Sequence, residues 1–99
     1  MDEDAPIEVT LLAEGCVRDP NGLHLKVASD LSRACRGFAS RVTVTRQDIQ
    51  RSADGKSPLA LLTLGASADR VLTIEVRGTD ASQALEALKP FFLLQNGES

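Results

Sequence analysis

The chain has 99 residues, 42% of them hydrophobic, which suffices for one compact domain, 1–99, with a single core. Its aromatic side chains are three phenylalanines, and its 11 basic residues form no run among 14 acidic ones, so a nucleic-acid partner is not expected. The start of the chain shows no apolar signal segment, and no apolar run approaches the ~18 residues that cross a bilayer, which predicts a cytoplasmic protein without a membrane partner.

The first predicted elements are a strand and a helix. Residues 7–11 alternate apolar and polar side chains, as a strand with one wet face does. After a turn at Gly22, an apolar stripe with helical spacing predicts a helix that begins close to His24, the single histidine, and ends at Gly37. The stripe consists of Val27, Leu31, Ala34, Cys35 and Phe38.

The middle of the chain predicts two strands and a short helix. Residues 41–45 alternate clearly, and 48–51 form a weaker, polar edge strand. Ser57 as N-cap, Pro58 at the first helical position and Gly65 past the end delimit the helix. Its leucines fall on two faces, and a surface helix buries only one of them. The other face is then an exposed docking patch, unless the small domain packs against both faces of the helix. Leu61 and Leu64 form the face expected to be buried, and Leu59 and Leu62 the face expected to be exposed.

The last third predicts a strand and a closing helix. Residues 72–77 alternate again, and Asp80 with Gln83 forms a capping box at the start of a helix that Pro90 stops. Alternating strands suit an antiparallel sheet that is covered on one side. We therefore expect an α+β open-faced sandwich, with four antiparallel strands and three helices on one face.

The sequence lacks the motifs of metal and nucleotide enzymes. Cys16 and Cys35 form no C-x-x-C pair and have no second histidine, and Cys35 lies on the apolar stripe of the first helix. There is no glycine-rich phosphate loop, and the carboxylates show no ligand spacing. We expect no metal and no other cofactor.

Three short motifs resemble those of the HPr phosphocarrier proteins of the bacterial phosphoenolpyruvate-dependent phosphotransferase system. The turn 22–24 is similar to the family's Gly-Leu/Ile-His active-site turn. The segment 56–57, followed by 64–65, is similar to its regulatory serine segment, and 78–80 resembles the Gly-x-Asp that opens its last helix. The resemblance runs from about residue 7 to residue 94 with the element order predicted above, and it implies the HPr fold.

The resemblance also implies a function for His24. In this family the histidine accepts a phosphoryl group on Nδ1 from phospho-Enzyme I and passes it to sugar-specific or regulatory acceptor proteins, as a stoichiometric carrier and not a turnover enzyme. The residues agree with this chemistry, because a neutral imidazole, with an ordinary pKa near ~6.5, is a competent nucleophile at neutral pH. The start of the following helix offers the backbone N–H groups of Leu25 and Lys26 to phosphoryl oxygens. Taken without the resemblance, the residues leave open that His24 is only a polar cap.

The resemblance assigns regulation and docking to the short helix. It implies that Ser57 is the serine that an HPr kinase phosphorylates, although a serine before Pro58 is a good N-cap in any case. It places Pro58, Leu59 and Leu62 on the partner-docking helix. We expect a monomer.

The active-site motif departs from the family's His-Ala-Arg-Pro. Lys26 supplies the charge of the family's arginine but not its planar fork, Leu25 adds bulk, and Val27 replaces a proline that would stiffen the helix start. Residues 18–21 look like an insertion that covers or displaces His24. These departures motivate an alternative function, a regulatory protein-binding module with the HPr fold and impaired histidine transfer that acts through Ser57 and the Leu59/Leu62 patch.

Overall fold

A computed structural model of the chain describes residues 7–95. Its elements in chain order are β1 (Val9–Val17), α1 (Leu25–Arg36), β2 (Arg41–Arg46), β3 (Arg51–Asp54), α2 (Pro58–Thr63), β4 (Leu72–Gly78), α3 (Ala81–Leu88), a 3-10 turn (Lys89–Phe91) and β5 (Phe92–Leu94). The strands form one antiparallel sheet of order β3-β2-β4-β1-β5, and the three helices cover one of its faces. This confirms the predicted α+β open-faced sandwich, with one strand more than expected.

The alternating strands bury one face each, as the sequence predicts. In the centre of the sheet Val42 pairs with Val76 and Val44 with Ile74, and all four side chains are buried beneath the helices. The intervening positions, such as Glu75, lie on the opposite, open face. The core therefore lies between this sheet and α1, α2 and α3.

Two strand predictions need correction, and a fifth strand was not predicted. β1 extends to Val17, well beyond residue 11, because its second half pairs with β4 and β5. The edge strand is Arg51–Asp54, whereas residues 47–50 form a turn in which Gln50 has φ of 53°. β5 was not predicted, because three residues carry no period of their own and only the pairing with the end of β1 makes them a strand.

The first helix forms where its apolar stripe predicts. Val27, Leu31 and Cys35 are buried, and Gly37 caps the last turn. Burial raises the pKa of the Cys35 thiol to about 11, so this side chain stays protonated and behaves as a small apolar residue. None of the helices formed by residues 7–95 has the length and apolar character needed to cross a bilayer.

The predicted capping box of α3 does not form. Asp80 occupies the N-cap position, but its side chain makes no capping bond to α3. Its carboxylate instead accepts hydrogen bonds from the backbone N–H groups of Ala39 and Ser40, at 2.8 and 2.9 Å, and from the Ser40 hydroxyl. A bond between residues 40 apart cannot be inferred from local spacing. Asp80 thus ties the start of α3 to the loop that enters β2.

The Asp80 tether predicts an acid-sensitive contribution to stability. Its hydrogen bonds from Ser40 and Ala39 hold the pKa of Asp80 below the ordinary 3.8, so the contribution is complete above that pH and is lost as the pH falls through the lowered value. Asp80→Asn removes the charge and replaces one accepting oxygen by an amide nitrogen that only donates, so it is expected to lower the urea midpoint clearly at pH ~7 and less at pH ~3. Glu86→Gln, which removes an exposed carboxylate of α3, is the matched control. An equal loss at both pH values would contradict the role of the Asp80 charge.

Candidate functional site

His24 lies at the N-cap of α1, at the end of a tight turn. Its backbone is extended, and its carbonyl accepts the first helical hydrogen bond from Ala28 N–H at 2.8 Å. The imidazole is 36% exposed, so the ring lies at the surface and is open to a partner. His24 is therefore placed at the start of a helix, as predicted.

The turn before His24 is fixed by its packing against the segment that follows α2. The Leu23 N–H donates to Ala66 O at 2.9 Å, and the Leu23 side chain is buried in the core. Gly22 has φ of +76°, and a Cβ at this position would lie 2.5 Å from Ala66 O. Only glycine fits here, because both the backbone conformation and the close approach exclude a side chain.

The turn 18–21 contacts His24 directly and does not bury it. The Asp19 Oδ2 lies 3.2 Å from His24 Nε2, while Asp19 Oδ1 accepts the Asn21 N–H at 2.8 Å. The hydrogen bond from Asn21 makes the larger contribution, and the bond from His24 the next, to holding the pKa of Asp19 below its ordinary value. The carboxylate is therefore ionised at neutral pH. The expectation that this turn covers or displaces the histidine is replaced by a specific contact on one edge of the ring.

The contact determines which ring nitrogen carries the proton. An ionised carboxylate only accepts hydrogen bonds, so His24 Nε2 must be the donor, and in the neutral ring Nδ1 is then unprotonated. The His24 side chain makes no capping bond to α1, which leaves the Nδ1 lone pair outside the helix hydrogen bonding. The first turn of α1 has no acidic residue, and its leading N–H groups, including those of Leu25 and Lys26, have no intrahelical acceptor.

The two residues after His24 point into solvent. Leu25 is 64% exposed and so lies outside the core. The Lys26 ammonium pairs with Asp30 Oδ2 at 3.0 Å along the helix surface, and its side chain is 78% exposed. This pair is an exposed i,i+4 contact of small energy, so the Lys26 side chain is free to swing to another anion.

Two contacts of the turn 18–21 were missed in the sequence. One is the Asp19 carboxylate, and the other is Arg18, whose N–H, Nε and Nη2 donate to the carbonyls of Phe91, Pro90 and Phe92. Arg18 thereby ties this turn to the 3-10 turn and to the start of β5, next to the point where β5 pairs with β1. An acidic residue shortly before the single histidine was the signal that could have pointed to Asp19.

The short helix keeps its predicted cap but buries more than one leucine face. The Ser57 hydroxyl accepts the Ala60 N–H at 3.2 Å, and Pro58 occupies the first turn, as predicted. Leu61 is fully buried, and so is Leu64 at the end of the helix. Leu59 is 74% exposed, but Leu62 packs partly into the core. The predicted exposed pair is therefore wrong for Leu62, because a domain this small wraps both faces of a short helix.

The comparison with protein families matches this arrangement. The family model described as the phosphotransferase-system HPr component phosphorylation site covers residues 12–93 of the chain. The chain belongs to the HPr family. The match spans α1, α2, α3, β2, β3 and β4 and parts of β1 and β5, with all three motifs identified above inside it.

Relatives of this HPr-family protein include single carriers and longer proteins. It is 38% identical over 68 residues to the phosphocarrier protein HPr of Haemophilus influenzae, across 69% of this chain and 78% of that protein. It is 36% identical over 87 residues to a multiphosphoryl transfer protein of Escherichia coli O157:H7, across 87% of this chain. The chain spans 23% of the length of that relative.

Solved HPr structures share the fold. The phosphocarrier protein HPr of Bacillus anthracis superimposes with a TM-score of 0.77 at 23% identity, over 85% of this chain and 98% of that one. The histidine-containing phosphocarrier protein of a mycoplasma gives a TM-score of 0.75 at 26% identity, over 82% of this chain and 90% of that one. These likenesses confirm the fold class predicted from the sequence.

The fold of this HPr-family protein brings the two predicted regions together through the core. The Leu23 to Ala66 bond joins the His24 turn to the chain that leaves α2. At that end of α2, Arg46 Nη1 donates to the carbonyls of Leu64 and Gly65 at 2.7 and 3.2 Å, which satisfies the helix terminus. The position of the His24 turn thus depends on the packing of α2.

Proposed function

We propose that this HPr-family protein is a phosphoryl carrier of the phosphoenolpyruvate-dependent phosphotransferase system. His24 Nδ1 accepts the phosphoryl group from phospho-Enzyme I and passes it to sugar-specific or regulatory acceptor proteins. The observation that carries this proposal is a surface imidazole at the start of α1 whose Nε2 edge is engaged by Asp19, which leaves Nδ1 as the basic nitrogen. Histidine is one of the side chains that form covalent intermediates.

The transfer needs no further reactant. The Nδ1 lone pair forms the new N–P bond while the donor's bond to phosphorus breaks, and that electron pair stays with the donor. The proton on Nε2 does not move. The free N–H groups of Leu25 and Lys26 at the start of α1 interact with the phosphoryl oxygens, and the helix dipole adds to the attraction. Because the site is exposed, this stabilisation is moderate and the group remains transferable.

Lys26 contributes charge to the same site. Its ammonium leaves Asp30, a contact of small energy, and approaches the phosphoryl group from the first turn of α1. A lysine acts as a point charge and lacks the two-pronged geometry of arginine. We therefore propose a supporting role for Lys26 and the leading role for His24.

Regulation and docking are proposed for the short helix. Phosphorylation of Ser57 by an HPr kinase would place negative charge at the N-terminus of α2, which the dipole tolerates, so the change falls on partner binding and not on the fold. Leu59, with its exposed side chain, Pro58 and the exposed part of Leu62 form the partner-binding surface. We place the carrier in the cytoplasm as a monomer, where Enzyme I and its acceptors act.

The alternative function, a regulatory module with impaired transfer, is not favoured by the family match. Its motivation was the altered motif after His24. The departures at Leu25 and Lys26 both point into solvent and leave the ring accessible. The carrier function therefore remains the proposal.

A labelling experiment tests the carrier function. The protein is incubated with phosphoenolpyruvate and Enzyme I from its own source, and the phosphate is mapped by peptide mass spectrometry. We expect acid-labile, base-stable phosphate on His24 and its loss when acceptor protein is added. Omission of phosphoenolpyruvate is the control. Absence of label under conditions that phosphorylate an authentic HPr would overturn the proposal.

A further inference from the structure

We propose that Asp19 is a positioning residue for phosphoryl transfer, which holds the proton on His24 Nε2 and thereby keeps Nδ1 free as the nucleophile. This inference rests on the proposed function of His24 and adds the residue that sets the state of its ring. Asp19 belongs to the turn 18–21, outside the three motifs on which the family resemblance is based.

The geometry gives the two carboxylate oxygens of Asp19 different tasks. Oδ1 accepts the Asn21 N–H at 2.8 Å, and the Asp19 carbonyl accepts the Gly22 N–H at 2.9 Å, so the turn itself orients the carboxylate. Oδ2 is left to accept from His24 Nε2 at 3.2 Å. A carboxylate fixed in this way determines both the tautomer and the orientation of the imidazole that it contacts.

The contact matters most while the phosphoryl group is being transferred. When Nδ1 of the neutral ring bonds to phosphorus, positive charge develops on the ring, because the Nε2 proton is retained. The Asp19 carboxylate stabilises this charge through the hydrogen bond from Nε2. On onward transfer the same proton ensures that the departing ring is a neutral imidazole and not an anion, so no proton has to be supplied.

Repulsion between Asp19 and the phosphoryl group opposes this effect. The phosphoryl group forms on Nδ1, across the ring from Nε2, so its oxygens are farther from the carboxylate than the Nε2 proton is. Both Asp19 and His24 are about one-third exposed, at 35% and 36%, and solvent screens the longer interaction more than the direct hydrogen bond. The attraction to the ring therefore outweighs the repulsion.

Two substitutions separate a positioning role from a merely structural one. In Asp19→Asn, the amide oxygen keeps the bond from Asn21 N–H, so the turn is preserved, but the NH2 group takes the place of Oδ2. An NH2 group donates to Nε2 and so favours the tautomer with the proton on Nδ1, which blocks the nucleophile. Asp19→Ala loses the turn bond but leaves the ring free to keep its proton on Nε2.

The positioning role predicts that Asp19→Asn accepts phosphate more slowly than Asp19→Ala. We expect roughly a tenfold loss for Asp19→Asn and about threefold for Asp19→Ala, relative to the unsubstituted protein. A structural role of the turn predicts the reverse order, with Asp19→Asn unaffected. Glu75→Gln, which removes a carboxylate from the open face of the sheet, is the control for net charge and is expected to show no change.

The tautomer is measured on the unphosphorylated protein. Because the chain has a single histidine, its side-chain 15N resonances are assigned without ambiguity. At pH ~8.5, where an ordinary imidazole is neutral, we expect a proton-bearing Nε2 in the unsubstituted protein and a shift toward a proton-bearing Nδ1 in Asp19→Asn. An unchanged tautomer, or faster acceptance by either variant, would overturn the inference. If His24 takes no phosphate at all, the proposed function fails, whereas the tautomer result still stands on its own.

Discussion

Replacing His24 by alanine is expected to abolish phosphoryl acceptance while leaving the fold intact. No other residue of the chain is an imidazole, so the Nδ1–P bond has no substitute acceptor of the same chemistry. The ring is partly exposed and its side chain bonds to Asp19 at the surface, so the free energy of unfolding should change by about 0.5 kcal/mol or less. Label from phosphoenolpyruvate and Enzyme I measures acceptance, and urea unfolding measures stability.

Glu86→Gln serves as the control for His24→Ala. It alters an exposed side chain of α3 and should accept phosphate at the rate of the unsubstituted protein. Acid-labile phosphate that persists at full yield in His24→Ala would place the acceptor elsewhere in the chain. Acid-stable label in that variant would point instead to a hydroxyl such as Ser57.

Replacing Gly22 by alanine is expected to destabilise the protein by roughly 2–4 kcal/mol. Two causes add. The φ of +76° is unfavourable for a residue with a Cβ, and that Cβ would lie 2.5 Å from Ala66 O and 2.9 Å from Ser67 Cα. Both contacts are with backbone, so neither is relieved by rotating a side chain. Urea unfolding measures the loss.

Two other glycines separate the causes at Gly22. Gly65 has φ of +60°, but a Cβ there meets only the Arg46 guanidinium at 3.6 Å, so Gly65→Ala should lose only the conformational part, about 1–2 kcal/mol. Gly37 has φ of −74° and ordinary contact distances, so Gly37→Ala should be neutral or stabilising by about 0.5 kcal/mol. If all three variants were equally stable, the close packing of the His24 turn against the chain after α2 would be wrong.

Gly22→Ala also tests whether the packing of the His24 turn against the chain after α2 positions His24. Relief of the clash with Ala66 requires the turn to move away from the chain that leaves α2, which weakens the Leu23 to Ala66 bond. His24 follows directly, so its contact with Asp19 should be disturbed and phosphoryl acceptance should fall even in the folded fraction. Gly65→Ala, at the far side of the same packing contact, should retain acceptance.

The sequence by itself determined the elements whose causes are local. Alternation at 41–45 and 72–77 gave the central strands, because neighbouring side chains of a strand point to opposite faces. The stripe from Val27 to Cys35 gave α1, and Ser57 with Pro58 gave the start of α2. The position of His24 at a helix start, and the family resemblance, rest on the same short-range patterns.

The tertiary structure alone decided which distant residues meet. Asp80 looks like a helix cap in the sequence, yet its carboxylate binds Ala39 and Ser40, because packing brings that loop within reach and two backbone N–H groups there need an acceptor. Leu62 packs partly against the core because the core of a small domain contacts more than one face of a short helix. Asp19 contacts His24 because Arg18 bonds to Pro90 at one end of the turn and Gly22 packs against Ala66 at the other. The length of the turn in the sequence does not predict these contacts. Periodicity reports which face of an element is apolar, whereas contacts between elements depend on how those faces pack.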